Sequence, residues 1–426
     1  MNQKELIFAI EGGKYNAIFT ELYGAENVTT QQARYINAVN EFAALFGAER
    51  DISLFSVAGR SEISGNHTDH NYGKVLAASI DLDIIAAASP RDDMRINIKS
   101  EGFPIDKVDI TAPTVDESLY YTSTSIISGM CSGFLKHGYK VGGYDAYTTS
   151  NVFKGSGLSS SAAFEDMVGL ILSGFYNNGE VENAEIAKIA QYSENVFFGK
   201  PSGLMDQTAC AVGGFIAIDF KNPTAPIIEK LPFDLSAAGY SLCIVNTGGN
   251  HANLNENYAS VPADMKKVAS YFGKQVLREV PLEEILANIK ALRAFAGDRA
   301  IMRAIHFKNE NERVTKQTAA LKSGDLDAFL DGVIESGNSS FKYLQNVYTA
   351  KNVHEQGLSL ALCLAEMGLR GKNAAWRVHG GGFAGTIQAF VANGDVPEFK
   401  KALDAAFGDG ATTVLKVRPY GAIRIE

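Results

Sequence analysis

Three stretches of this chain carry side chains whose types and spacing suit an anion and a hydroxyl-rich ligand. The first is Gly155-Ser156-Gly157-Leu158-Ser159-Ser160-Ser161-Ala162-Ala163. It follows a strand-like run, Tyr144 to Phe153, and precedes a helical pattern with apolar residues at Phe164, Met167, Val168, Leu170, Ile171 and Leu172. Its glycines allow a tight turn, and its serines fill the N-cap and first-turn positions of the helix. A helix N-terminus offers unpaired N–H groups and partial positive charge, so an anion fits there, although a plain capped turn has the same composition. A Rossmann fingerprint fails because Ser160 stands where the third glycine belongs, and no Lys-Ser or Lys-Thr closes a Walker A loop.

The second stretch, Gly59 to Asn71, packs Arg60, Glu62, Asn66, His67, Asp69 and His70 into one turn-rich segment. A solvated loop has such a composition too. His67, Asp69 and His70 invite a metal reading, but no second ligand cluster with metal-like spacing exists among the seven histidines. A polar clamp for a polyol is the better functional reading, because hydroxyl groups need both donors and acceptors. In the third stretch, Gly199-Lys200-Pro201-Ser202-Gly203-Leu204-Met205-Asp206-Gln207, a loop delivers Asp206 at the start of a helix. An acidic residue is favoured there by the helix dipole alone.

The elements that must position these residues follow from periodicity. Helices are expected over Gln31–Phe46, Leu119–Leu135 and Asn183–Phe198, the last carrying Glu194 near its end. Strands are expected at Ile52–Val57, Arg95–Lys99 and Gly214–Phe220. The apolar run Val75–Ala88, broken by Asp81 and Asp83, reads as a buried strand or strand pair. Asn222-Pro223-Thr224-Ala225-Pro226 marks a break near a domain boundary. Beyond it come a strand at Leu242–Val245 and helices over about 256–273, 282–297, 310–322, 326–337 and 352–367. Strands at Ala375–Val378, Thr386–Val391 and Thr412–Arg418 and a helix at Val396–Phe407 complete the chain. Gly380 to Gly385 matches G-x-G-x-x-G, but a strand follows where a dinucleotide fold needs a helix, so that reading fails.

A length of 426 residues accommodates two domains, and 46% apolar with 20% charged residues is the balance of a globular protein. The formal charge of −9 argues against nucleic acid or an anionic membrane surface as partner. Cys131, Cys210, Cys243 and Cys363 lack CxxC spacing, and no signal peptide or membrane span is evident. A cytoplasmic location is therefore expected.

These stretches, in this order, resemble galactokinases of the GHMP small-molecule kinase superfamily. Gly59–Asn71 resembles the family's sugar motif, Gly155–Ala163 its phosphate motif and Gly380–Thr386 its C-terminal glycine motif. Ser193-Glu194-Asn195 and Gly203–Gln207 match closely, and Arg303-Ala304-Ile305-His306 with Glu310 and Arg313 echo a weaker pattern. The resemblance implies an α+β, two-domain fold with the active site in the cleft. Residues 1–30 would be an N-terminal extension, 31–235 the N-terminal domain and 236–426 the C-terminal domain. It also implies ATP and Mg2+ as cofactors, with a small sugar as substrate and a monomeric protein. By position, Asp206 and Arg60 take the catalytic roles. Gly155, Ser156, Gly157, Leu158, Ser159, Ser160 and Ser161 would hold the nucleotide phosphates, and Glu194 with Ser160 or Ser161, here Ser161, the metal. Asn66, His67, Asp69, Gly203 and Tyr258 would contact the sugar.

The sugar motif departs from the family pattern Gly-Arg-x-Asn-x-x-Gly-Glu-His-Thr-Asp-Tyr: Glu62 stands for Asn, Asn66 for Glu and His70 for Tyr. The implied reaction is phosphorylation of the anomeric hydroxyl of galactose. A related sugar (galacturonate, N-acetylgalactosamine or arabinose) and a non-catalytic sugar and ATP sensor are the alternatives.

Overall fold

Three helices occupy the N-terminus of the computed structural model, which describes residues 1–152, 157–249 and 254–426. They are α1 (Gln3–Glu11), α2 (Asn16–Tyr23) and α3 (Val28–Phe46). A capping box starts α1: the Asn2 side chain accepts from the Glu5 N–H while the Glu5 carboxylate accepts from the Asn2 N–H. Leu6, Ile10, Phe19, Leu22, Tyr35 and Phe42 from these helices pack against Leu54, Ile85 and Ala87 of the adjoining sheet. Residues 1–30 are thus largely helical and share a core with that sheet.

The first sheet is built from β1 (Ser53–Ser64), β2 (Lys74–Pro90), β3 (Arg95–Ser100), β4 (Ile105–Asp109) and, after α4 (Ser123–Lys136), β5 (Tyr144–Ser150). Then come α5 (Ser160–Tyr176), α6 (Asn183–Tyr192), α7 (Met205–Val212), β6 (Phe215–Asp219) and β7 (Ile227–Leu231). Gly59–Ser64, expected in a turn, belongs to β1, and the turn begins only at Gly65. Val75–Ala88 lies in one strand of 17 residues rather than a pair. That strand changes neighbours midway: Lys74–Ala78 pairs with β6, and Ile84–Pro90 pairs with β5. Among these pairings only β3 with β5 is parallel. The helices α4, α5, α6 and α7 bury Ile127, Met130, Met167, Ile171, Ile189 and Ala209 beneath the sheet.

The second half opens with β8 (Tyr240–Asn246) and α8 (Asn255–Tyr271). The helix expected over 282–297 is divided at Asn288 into α9 (Leu282–Ala287) and α10 (Ile289–Phe295). The one expected at 310–322 is the end of the 26-residue α11 (Asp298–Ser323). Next come α12 (Leu326–Ser339), α13 (Gly357–Leu369), β9 (Ala375–Val378), β10 (Thr386–Ala392), α14 (Val396–Phe407), β11 (Thr412–Leu415) and β12 (Ala422–Ile425). The second sheet runs β11-β8-β10-β9, all antiparallel. The last strand, β12, crosses back and pairs with β1. The division proposed at residue 235 therefore falls between β7 and β8, with the C-terminal strand returned to the first sheet.

A buried carboxylate ties these parts together. Asp83 accepts from Arg34 Nη1 (2.5 Å), Tyr23 Oη (2.5 Å), Ser56 Oγ (2.5 Å) and Arg418 Nη1 (3.0 Å). Burial would push its pKa up, but the two guanidinium groups and these hydrogen bonds hold it below 3.8. Replacing Asp83 by Asn leaves the buried Arg418 and the partly buried Arg34 without their carboxylate, a change that costs about 3–5 kcal/mol. The expected outcome is a matching fall in urea unfolding free energy; an unchanged midpoint would show the cluster to be incidental.

Candidate active site

The loop before α5 is built around a left-handed residue. Gly155 and Ser156 lie outside the described residues. Gly157 takes φ +73°, Leu158 is buried, and Ser159 sits at the N-cap with φ 60° and ψ 51°. The Leu158 carbonyl accepts from the Arg60 N–H at 3.1 Å, which fixes the loop to β1. Ser159 holds the cap position without capping: its hydroxyl instead donates to Asp206 Oδ2 at 2.7 Å. The first-turn N–H groups of α5 are thus free of a side-chain cap, as an anion-receptive helix start requires. Ser160 and Ser161 stand in that first turn, with Ser161 exposed.

Asp206 enters from the start of α7 and meets Arg60 from β1. Arg60 Nε donates to Asp206 Oδ1 at 2.8 Å and Nη2 lies 2.7 Å from the same oxygen, while Nη1 bonds the Gly157 carbonyl. One arginine therefore touches both the phosphate loop and the carboxylate. Burial would raise the Asp206 pKa, but the Arg60 charge, the Ser159 hydroxyl and the more distant Lys200 hold it below 3.8. The side chain keeps 38% of its surface open, so this ionised acceptor can be reached from outside.

Glu194 lies in a wide turn, Ser193–Phe197, that follows α6. The helix expected to reach Phe198 is α-helical only to Tyr192. Lys200 Nζ donates to Glu194 Oε1 at 2.6 Å, and Gln207 Nε2 donates to Glu194 Oε2 at 2.8 Å and to Glu165 Oε2 at 2.9 Å. Burial and the neighbouring Glu194 charge push the Glu165 carboxyl well up. Among the described residues no group of three His, Cys, Asp or Glu side chains is placed to hold a metal. Magnesium in nucleotide sites needs only one or two protein oxygens besides phosphates and water. Glu194, whose carboxylate already carries the Lys200 cation, and the exposed Ser161 hydroxyl at the helix start are oxygen donors of the kind such a site uses.

The sugar-motif residues meet the second glycine loop. His67 Nε2 lies 2.9 Å from the Gly381 carbonyl, and burial depresses the imidazole to about 4, so it is neutral at pH 7. Tyr258 Oη donates to the Gly382 carbonyl at 2.8 Å, and its ring meets Phe383 edge-on. Gly203 approaches Asp69 closely: a Cβ there would stand 2.4 Å from Asp69 Oδ2 and push the carboxylate aside.

Asn66 is placed otherwise than expected for a residue facing a sugar. It is fully buried. Its Nδ2 donates to Glu62 Oε1 and to the Gly380 carbonyl, both at 2.7 Å, and its Oδ1 accepts from Asn346 Nδ2 at 2.6 Å. These bonds hold the two motifs together. Glu62 is its partner, with the buried Arg377 Nη2 3.8 Å away. Helix α11 then clamps the turn, since the Gly65 N–H donates to Glu310 Oε1 at 3.0 Å and His306 Nε2 lies 3.0 Å from the Asn66 carbonyl. Sequence reasoning noted Glu62 as one polar residue of the sugar motif and as a departure, and Lys200 only as a loop residue, because neither type signals its partner.

Residues 40–90 match the galactokinase galactose-binding signature, and residues 125–214 match the GHMP kinases N terminal domain. The galactokinase of Streptomyces coelicolor is 31% identical over 371 residues, covering 86% of this chain and 91% of that protein. The chain belongs to the galactokinase family. Another galactokinase, from Lactobacillus helveticus, is 30% identical over 371 residues, with 85% and 91% covered. The structure of Lactococcus lactis galactokinase complexed with galactose superposes with a TM-score of 0.76 at 25% identity, over 92% of this chain and 99% of that one. The Methanococcus jannaschii mevalonate kinase shares the fold, with a TM-score of 0.60 over 86% of this chain and 98% of that one. This galactokinase-family chain is therefore a sugar kinase, a phosphotransferase of the α+β GHMP fold, and the family implies use of ATP.

The depressed Asp206 carboxyl sets a pH expectation. A carboxylate held below 3.8 is already ionised across pH 5–8, so its ionisation produces no acid limb in the kcat/KM profile there. Replacing Arg60 by Met removes the holding charge, and the Asp206 titration then moves up toward that window. An Asp206-dependent limb near pH 6 in the unmodified enzyme would contradict the observed pairing.

Proposed function

We propose that this chain transfers the terminal phosphoryl group of magnesium-ATP to the anomeric hydroxyl of galactose, giving galactose 1-phosphate and ADP. The observation that carries the reading is the Arg60–Asp206 pair at 2.8 Å, placed beside the uncapped start of α5. Asp206 accepts the hydrogen bond of the sugar hydroxyl and takes its proton as the new oxygen–phosphorus bond forms. Arg60 stabilises the negative charge that develops nearby. The first-turn N–H groups of α5 and the Gly157–Ser161 loop bind phosphate oxygens. Magnesium, when bound at Glu194 and Ser161, neutralises part of the phosphate charge.

His67, Asp69, Gly203 and Tyr258 form the sugar side, and the galactose-binding signature over residues 40–90 supports galactose as the acceptor. The galactose complex of the Lactococcus lactis relative supports it as well. The protein acts as a monomer in the cytoplasm in this reading. No helix among the described residues is long and apolar enough to cross a membrane.

The test is ADP release in a coupled assay over galactose, galacturonate, N-acetylgalactosamine and arabinose. Galactose is expected to give the highest kcat/KM. A different winner moves the specificity assignment, and binding of sugar and ATP without any release favours a sensor. In the same assay, Asp206→Asn keeps the size but weakens the proton acceptor, and kcat is expected to fall by about 10²-fold or more. Sugar affinity should change far less, because the interaction strengthens in the transition state.

A further inference from the structure

Lys200 places a second cation in the site, beside the carboxylate assigned to the metal. The loop 199–203 is pinned so that the lysine cannot simply drift away. The Lys200 N–H donates to the Glu194 carbonyl at 3.1 Å, the Ser202 N–H donates to Asn195 Oδ1 at 2.6 Å, and Gln191 Nε2 holds the Ser202 carbonyl at 3.0 Å. At Gly199 the chain turns with φ +80°, and an added Cβ would strike the Tyr120 ring at 2.5 Å. From this anchored backbone the side chain reaches Glu194 at 2.6 Å, with 53% of its surface exposed while Glu194 keeps only 4%. The lysine stem is thus free on its solvent side, and the carboxylate is shut in.

Removing that cation would be costly for an anionic ligand. Glu194 neighbours Glu165, which shares Gln207 with it, and both Asp206 and Glu165 act electrostatically on Lys200. Ser161 lies one helical turn before Glu165, on the same face of α5. A triphosphate seated at the α5 start would therefore lie on the helix face of Glu165, the carboxyl that Gln207 links to Glu194. Either a divalent cation or Lys200 must stand between the phosphates and Glu194.

We propose that Lys200 is the resident cation of this site, neutralising Glu194 when no divalent ion is present and yielding that carboxylate to the ion that accompanies ATP. This rests on the magnesium-ATP reading above. Once released, the ammonium keeps a partner, since the phosphate oxygens replace the carboxylate. The arrangement makes nucleotide affinity less dependent on the metal than it would be with a bare Glu194.

The experiment measures binding of a fluorescent N-methylanthraniloyl ATP in magnesium buffer and in EDTA. For Lys200→Met the ratio of Kd in EDTA to Kd in magnesium is expected to rise by about tenfold over the unmodified protein, a typical coupling between linked sites. Lys200→Arg keeps a cation on Glu194 and should leave the ratio within about twofold. On a Glu194→Gln background there is no charge to neutralise, so Lys200→Met should no longer change the ratio. This second comparison separates the ion pair from a general loss of folding. An unchanged ratio in Lys200→Met overturns the proposal while the kinase reading stands. Failure of the unmodified protein to bind the nucleotide even with magnesium removes the kinase reading, and the proposal with it.

Discussion

The site depends on one irregularity in the pairing of β1 with β2. Ala58 lies opposite Asp83, yet Arg60, two residues on, lies opposite Ser79, four residues back. The long strand therefore bulges away at Ile80–Leu82, where Asp81 N–H and Ile80 pair instead with the segment around Lys416 and Val417. A bulge re-aims the side chains on either side of it. At one edge it leaves Asp83 among Arg34, Arg418, Tyr23 and Ser56, and at the other it turns Arg60 toward Asp206. Gly59 lies opposite the bulge, and a Cβ there would press on the Leu158 carbonyl at 3.0 Å. The bare position lets the loop before α5 lie close on the strand.

Charge within the cleft is arranged with the same restraint. The protein is net negative, and Glu165, Glu194 and Asp206 converge near the start of α5. Two cations stand among them, Arg60 on Asp206 and Lys200 on Glu194. A guanidinium that also bonds the Gly157 carbonyl is fixed in place, whereas the ammonium on its flexible stem is exposed on one side. In the proposed reaction the fixed cation would suit the reacting centre, where misplacement is costly, and the exposed one a carboxylate that changes partners.

How much of this was legible in the sequence depends on how local each signal is. The serine-rich helix start, Asp206 at the head of α7 and the β9–β10 hairpin around the C-terminal glycine motif are set by neighbours in the chain, and spacing shows them. Contacts made at long range are silent. Asp83 finds Arg34 and Arg418 across 49 and 335 residues, and nothing near it in the chain names either partner. A break inside a helical pattern is silent as well. Residues 282–297 carry a continuous helical pattern, yet the backbone departs from it at Asn288, with φ −110° and ψ 14°. Within the sugar motif, polar composition suggested an open turn, whereas Gly59–Ser64 is a buried strand. Arg60, Ser61 and Glu62 there bond Asp206, Gln388 and Asn66 instead of facing solvent.

Asn66 and Glu62 show what that burial implies for sugar selection. Relative to the family pattern, the amide and the carboxylate have exchanged places, and here they bond each other at 2.7 Å. The amide has both donor and acceptor capacity, which suits a junction that must satisfy the Gly380 carbonyl and the Asn346 amide at once. A carboxylate at position 66 could accept from Asn346 but would face the Gly380 carbonyl with no hydrogen to give. The amide therefore belongs to the joint between β1 and the glycine loop, and the carboxylate is displaced to residue 62, where Arg377 lies 3.8 Å away to compensate its charge. Burial still pushes the Glu62 carboxyl up, so that compensation is incomplete. The same joint sets the neighbouring contact, since Asn66 holds the Gly380 carbonyl while the next residue, His67, meets the Gly381 carbonyl at 2.9 Å.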